Sequence, residues 1–348
     1  MNRSNFNGLR ILVLSRDMSA YRAAYYQQDF LSALSNQAEC LFYGPGFPNY
    51  SLGKSLVEIL LESSFEPDFV FTAHSFLEDD PRKSLETMPG LNLKSSPVPI
   101  FSLINKEYSK LSEKVQFFSD VGVQAVFTHH HNLEDFVGKI GIPLFFVPFG
   151  VNPFRFKFSG SKRSYDLGFA GLLKNPTFGD LQAKTRIELM REIYFSVLNT
   201  PILRKAQYAK WRLIWKSWTG SPGADLIGRL LGHGKLSEKS YVDALRSTKA
   251  WLNLPSPLDI ISTRYFECMA SGTLVLAQKS PALEYVFPSH LMETFEHISE
   301  LPLLLEKTLS DEAWRMERTL EARNFVLENH TWDITVHNML DAIEGSVR

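Results

Sequence analysis

Residues 252–272 read LNLPSPLDIISTRYFECMASG. The segment leaves a strand-like LNL, crosses a loop punctuated by Pro255 and Pro257, opens a helix carrying Arg264 and Glu267, and stops at Gly272. TLVLAQ at 273–278 then begins another apolar run, and strand, loop, helix, strand in that order is the repeating unit of a parallel sheet. Arg264 and Glu267 stand at i, i+3. That spacing gives either a surface ion pair or two separate handles on a ligand at the carboxyl end of the sheet.

The same alternation runs outward in both directions. On the N-terminal side, LRILVL (9–14), AECLFY (38–43), PDFVFTAH (67–74), VPIFSLI (98–104), VQAVFTH (123–129) and LFFVPFG (144–150) read as strands. Helices are expected over 22–35, 52–63 and 107–120 between them. The polar stretch FSGSKRS (158–164) reads as a linker, after which the pattern restarts with DLGFAG (166–171) and a helix over 180–198. AWLNL (250–254), the helix around Glu267 and a long helical region over 298–328 complete it. The fold class is therefore α/β, two Rossmann-like domains facing across a cleft, with boundaries expected at 1–156 and 157–330.

With 348 residues and 44% hydrophobic content the chain can bury two cores. Its formal charge is −1, from 37 basic and 38 acidic side chains, so no global field recruits nucleic acid, and none is expected as a partner. Cys40 and Cys268 lie in unrelated segments, which argues against a disulfide framework, and no run of 18 apolar residues occurs. A soluble, cytoplasmic protein is expected. GxGxxG after the first strand, GxxxxGK[ST], GxSxG and HExxH are all absent, which disfavours dehydrogenases, P-loop enzymes, α/β-hydrolases and zincins. Gly44 and Gly46 in FYGPGF follow a strand and suit either a simple turn or a phosphate or sugar loop.

The 259–272 segment resembles the donor-binding motif of GT-B glycosyltransferases, most closely the spore-maturation CgeB-like group. In the retaining families of that fold, two acidic residues separated by seven others face the donor. Here Asp259 and Glu267 keep the spacing, with Asp in place of the usual Glu. PFGVNPFRF (148–156), DLGFAG, GKLSEKSYVDALRSTKAWLNL (234–254) and ENHTWDITVHNML (328–340) resemble further segments of that fold, the last implying a C-terminal helix, 331–348, that returns to the first domain. The resemblance covers 144–345. It implies transfer of a sugar from a nucleotide-diphosphate donor to an acceptor such as a glycan, a lipid-linked or a small molecule, with retention, the nucleotide sugar being substrate and neither a metal nor a cofactor being required.

The residue types suit that chemistry. Glu267 can accept charge-assisted hydrogen bonds from ribose hydroxyls. Main-chain N–H groups near Ser262 and Thr263 open a helix whose dipole places about half a positive charge there, facing a pyrophosphate. Arg264 supplies a permanent cation for the leaving diphosphate. The resemblance adds Gly171, Lys174, Arg186, Lys235, Leu236 and Asn253 to the donor side, although the arginine usual after Gly171 is replaced by Leu172. Lys174 or Arg186 substitutes for it, or each is an ordinary surface charge. The departures at Asp259 and Leu172 keep open a sugar-nucleotide epimerase and a non-catalytic sugar-binding module.

In the first domain, His74 and the NKEY segment (105–108) end strands facing the expected cleft. An inverting enzyme would draw a general base from Glu107 or His74, and a strand-end histidine is equally a structural group. His129, His130 and His131 alternate faces of an extended segment and cannot all reach one ion. Finally, Trp211, Trp215 and Trp218 fall at i, i+4, i+7 in LRKAQYAKWRLIWKSW (203–218), a helical stripe that packs inward or rests peripherally on a membrane.

Overall fold

A computed structural model describes residues 6, 8–21, 24–138, 140–158, 160, 162–173 and 180–347. They fall into two compact units, one within the spans Met1–Gly150 and Trp332–Arg348, the other within Val151–Thr331.

In the first unit, β1 (Arg10–Leu14), β2 (Glu39–Tyr43), β3 (Phe69–Thr72), β4 (Ile100–Leu103), β5 (Ala125–Thr128) and β6 (Leu144–Phe146) form one sheet in the order β2-β1-β3-β4-β5-β6. Every pairing is parallel. The inner strands FVFT, IFSL and AVFT are buried along their whole length, which is why they appear as unbroken apolar runs. Helices α1 (Tyr25–Ser35), α2 (Leu56–Ser63), α3 (Leu111–Val121) and α4 (Glu134–Val137) alternate with the strands. Ser55 caps α2 reciprocally with Glu58 in a capping box. Gly44 is a close-approach glycine at φ +147°. A Cβ there would stand 1.9 Å from the Ser15 carbonyl oxygen, and the loop serves as a turn pinned by Asp17 N–H donating to Pro45 O. The C-terminal helix, Trp332–Val347, belongs to this unit, its Trp332 packed edge-on against Phe30 and Phe149.

In the second unit, β7 (Tyr165–Leu172) is followed by α5 (Asp180–Ile193), and then the chain departs from the expected helix over 180–198. It forms an antiparallel hairpin, β8 (Tyr194–Val197) and β9 (Thr200–Arg204), that joins neither large sheet. The tryptophan stripe is also corrected. Residues Leu213–Trp218 are a strand, β10, in which Trp215 and Ser217 point inward and Lys216 lies between them, a period of two that overrides the 3.6-residue spacing of the tryptophans. Trp215 stacks on Phe169 at 4.3 Å, so of the two readings of the stripe the inward packing holds for Trp215, but from a strand and not from a helix. The chain continues through α6 (Pro222–Leu230), α7 (Glu238–Arg246), β11 (Thr248–Asn253), α8 (Thr263–Ala270), β12 (Leu274–Gln278), α9 (Pro281–Val286) and β13 (Glu293–Phe295). The sheet order is β10-β7-β11-β12-β13, all parallel. The expected helical region after 298 is two helices, α10 (Leu301–Ser310) and α11 (Glu312–Asn329), divided where Asp311 caps the second by accepting from Trp314 N–H. Residues 151–156 sit in this unit, Val151 bridging to Thr331 and Phe156 meeting the Tyr241 ring. Among the described residues no helix is long and apolar enough to cross a membrane.

The sheet of this unit depends on close approach at Gly168, where a Cβ would lie 2.1 Å from Trp251 Cε3 on the neighbouring strand. Gly168→Ala is expected to destabilise the protein by about 1–3 kcal/mol in urea denaturation followed by circular dichroism, because neither the strand nor a fully buried indole can give way.

Candidate functional site

Because β10, β7 and β11 run parallel, they deliver their last residues to one edge of the sheet, and Ser217, Gly171 and Asn253 all arrive there. Two guanidinium groups converge on that edge. A Cβ built on Gly171 would lie 3.3 Å from Arg186 Nη1 and 3.4 Å from Arg264 Nη1, so both cations occupy the space beside this glycine. Arg186, on α5, is 4% exposed and donates to the carbonyls of Leu172 and Pro255, each at 3.1 Å. Those bonds fix it over the end of β7, where the arginine expected after Gly171 is missing. Arg264, in the first turn of α8, makes no hydrogen bond or ion pair among the described residues. Like charges held together in partly dry surroundings call for an anion between them. Lys174 lies outside the described residues.

Helix α8 itself is aimed by its ends. Ser262 caps it in extended conformation but its side chain takes none of the first N–H groups, so the Ser262–Thr263 end keeps its anion-binding capacity. At the other end Gly272, at φ +66°, ends the helix in left-handed geometry, with Gly272 N–H donating to Met269 O and Thr273 N–H to Cys268 O. A residue read as linker, Arg163, braces this end. Its guanidinium donates to Ser271 O at 3.1 Å, to Thr273 Oγ1 at 2.9 Å, and to the carbonyls of Gly272, Leu245 and Thr248. Burial, with Arg315 nearby, pushes Arg163 down to about 10. Asn253 ties β11 to the middle of α8 through Nδ2 and Cys268 Sγ, 3.8 Å apart.

Glu267 is 1% exposed, its Oε2 accepting from the Tyr241 hydroxyl at 2.8 Å. The carboxylate is thus oriented from α7, a contact that the motif alone did not reveal. Asp259 follows Leu258 in a pair of left-handed residues, φ +56° and +58°, a strained conformation for side chains other than glycine. One carboxylate oxygen, Oδ2, accepts from Ala282 N–H at 3.0 Å and anchors the start of α9, while Oδ1 is buried without a partner among the described residues. The Tyr265 hydroxyl is equally buried and unpartnered, and burial and the Asp259 charge both push it up. Two buried polar atoms without partners call for an explanation, and a ligand's hydroxyl is one. Tyr265 was not singled out in the sequence because an aromatic residue inside a helix motif reads as core. Lys235 is exposed, its ammonium 5.9 Å from the Trp218 ring centroid at the end of β10, and Leu236 is half-buried beside it.

The first unit gathers a second polar set at its own carboxyl edge. His74 and His129 are buried with Nε2 atoms 3.0 Å apart. His129 Nδ1–H donates to Val147 O, so its Nε2 accepts from His74 Nε2–H, and His74 Nδ1 is left without a partner among the described residues. Glu107, a candidate base with His74, is buried with Oε1 accepting from Thr128 Oγ1 at 2.8 Å and His129 N–H at 2.9 Å, and burial raises its carboxyl. It braces the end of β5 and thereby positions His129. His74 is likewise enclosed by Tyr26, Phe30 and Trp332. Among the described residues no group of three or more His, Cys, Asp or Glu side chains is placed to hold a metal ion.

Residues 200–341 match the family described as "Glycosyl transferase-like". No curated protein sequence matches the chain. Solved structures similar over nearly the whole chain include sucrose-phosphate synthase (tll1590) from Thermosynechococcus elongatus, with a TM-score of 0.62 and 11% identity over 97% of this chain and 98% of that one. Anabaena Alr3699/HepE in complex with UDP and glucose gives 0.64 and 11%, covering 97% and 100%. T4 phage BGT in complex with UDP and Mn2+ gives 0.58 and 10%, covering 97% and 99%.

The histidine pair makes a test of the first unit's edge. Burial lowers His129 from an ordinary 6.5 to about 4, and lowers His74 well below its ordinary value. The unfolded chain therefore binds protons that the folded unit refuses, so stability is full above pH 6.5 and is lost as pH falls toward 4. The slope is about 1.4 kcal/mol per pH unit for each histidine. His129→Leu should flatten that slope in urea melts at stepped pH. An unchanged slope would place the titration elsewhere.

With two parallel sheets and these likenesses, the chain has the GT-B fold, and its residues 200–341 match the glycosyl transferase-like family.

Proposed function

We propose that the protein is a glycosyltransferase that moves a sugar from a nucleotide-diphosphate sugar to an acceptor, with retention and without a resident metal. The observation that carries this reading is the convergence of Arg186 and Arg264 beside Gly171, at the open end of α8. As the glycosidic bond breaks, negative charge develops on the diphosphate, and two fixed guanidinium groups in a partly dry site stabilise it without reorganising. Glu267, oriented by Tyr241, receives the ribose hydroxyls. Asp259 and Tyr265 offer Oδ1 and the phenol hydroxyl to the sugar. Asn253, Lys235 and Leu236 complete the donor side, the last two toward the base. The CgeB-like assignment rests on the sequence resemblance of 252–287 together with the further segments over 144–345. The UDP in the Alr3699/HepE and T4 BGT structures makes uridine donors the first to assay.

Incubation with a panel of nucleotide sugars tests the reading: slow release of nucleoside diphosphate, undiminished by EDTA, is expected. Interconversion of the free sugar nucleotide would indicate an epimerase, and binding without either change a sugar-binding module. Arg264→Ala should lower kcat by about 100-fold or more with a smaller change in donor affinity, since its charge answers charge that appears only in the transition state. Glu267→Ala should weaken nucleotide binding by at least about tenfold in calorimetry, the loss of one charge-assisted hydrogen bond. Equal losses of kcat and affinity in the arginine variant would assign it to uniform binding instead.

A further inference from the structure

Helix α6 is packed inside out. Its buried residues are small, Ala224 and Gly228, while Leu226 and Leu230 on its other face stand in solvent, Leu230 at 79% exposure. The β8–β9 hairpin lies against it, Thr200 Oγ1 reaching Ala224 O. This hairpin is inverted too: its Phe195↔Leu203 cross-strand pair is exposed, as are Val197 and Leu198, the latter at 73% in a turn where Leu198 and Asn199 both have positive φ. The hairpin, which belongs to neither large sheet, and the helix beside it thus both turn large apolar side chains to solvent.

The charge of this stretch is mostly of one sign, although Lys210 pairs with Glu306. Residues 191–235 contain eight Lys and Arg against two Asp and Glu. Both acids are spent internally, Glu192 on Gln207 and Tyr208, and Asp225 on Thr219 and the Gly220 N–H. In a chain that is near-neutral as a whole, this stretch is locally cationic and carries exposed apolar side chains. A second copy is a poor occupant, because an isologous contact would set this field against itself. The aliphatic side chains present no hydroxyl or amide with which to read a partner's polar groups. From these features we infer that the β8–β9 hairpin and the outer face of α6 dock on a lipid bilayer bearing anionic headgroups, the apolar residues entering the interface and the surrounding cations meeting the headgroups. The buried Trp215 takes no part.

Flotation of the full chain with vesicles tests this. Binding is expected to mixed phosphatidylglycerol–phosphatidylcholine vesicles, to be released by added salt, and to be much weaker on pure phosphatidylcholine. The Leu198→Asp/Leu230→Asp double variant, altered only at exposed positions, should lose at least about tenfold in partitioning while its thermal unfolding midpoint stays unchanged. Absence of flotation with the mixed vesicles, or flotation that survives the double substitution, overturns the inference. So do concentration-dependent dimers abolished by that substitution, which would assign the surface to self-contact.

Discussion

Two guanidinium groups beside one glycine set the terms for the second unit. Holding Arg186 and Arg264 close together costs roughly 2–4 kcal/mol at separations of about 4–8 Å in surroundings of effective dielectric near 20. The fold meets that cost with parts whose placement is otherwise hard to explain. Carbonyls of Leu172 and Pro255 hold Arg186, and Gly171 leaves the room that any side chain would fill. Helix α8 is fixed at its far end by Gly272 and by Arg163, so its first turn points at the same place. On the proposed function, the diphosphate is the anion that would relieve this repulsion.

Much of this was legible in the sequence, for a definable reason. Strands buried on both faces leave unbroken apolar runs, so the two parallel sheets could be read directly, and the strand–loop–helix spacing around Asp259 and Glu267 marked where the second sheet ends. What was hidden depended on contacts distant in sequence. Tyr241 lies 26 residues before Glu267, and Arg163 lies 108 residues before Ser271 and 109 before Gly272, whose carbonyls it braces. Glu107 has the right residue type for a base, but only the fold shows it spent on Thr128 and His129. The segment 203–218 misled because tryptophans at i, i+4, i+7 mimic a helical face, whereas Trp215, Lys216 and Ser217 follow the alternation of a strand.

The two units use their carboxyl edges differently. The second keeps two guanidinium groups there, and near α8 it buries two oxygens, Asp259 Oδ1 and the Tyr265 hydroxyl, without partners among the described residues. The first closes its edge with a neutral histidine pair enclosed by aromatic rings and braced by a buried carboxyl, an arrangement complete except for His74 Nδ1. Away from both edges, the hairpin and α6 expose the apolar side chains that elsewhere fill the cores.

The most direct measurement is a crystal structure of the protein with a nucleoside diphosphate. The account predicts the terminal phosphate within hydrogen-bond distance of Arg264 and Arg186, against the first N–H groups of α8, with the ribose at Glu267. A diphosphate bound away from Gly171, with the two guanidinium groups unengaged, would contradict it.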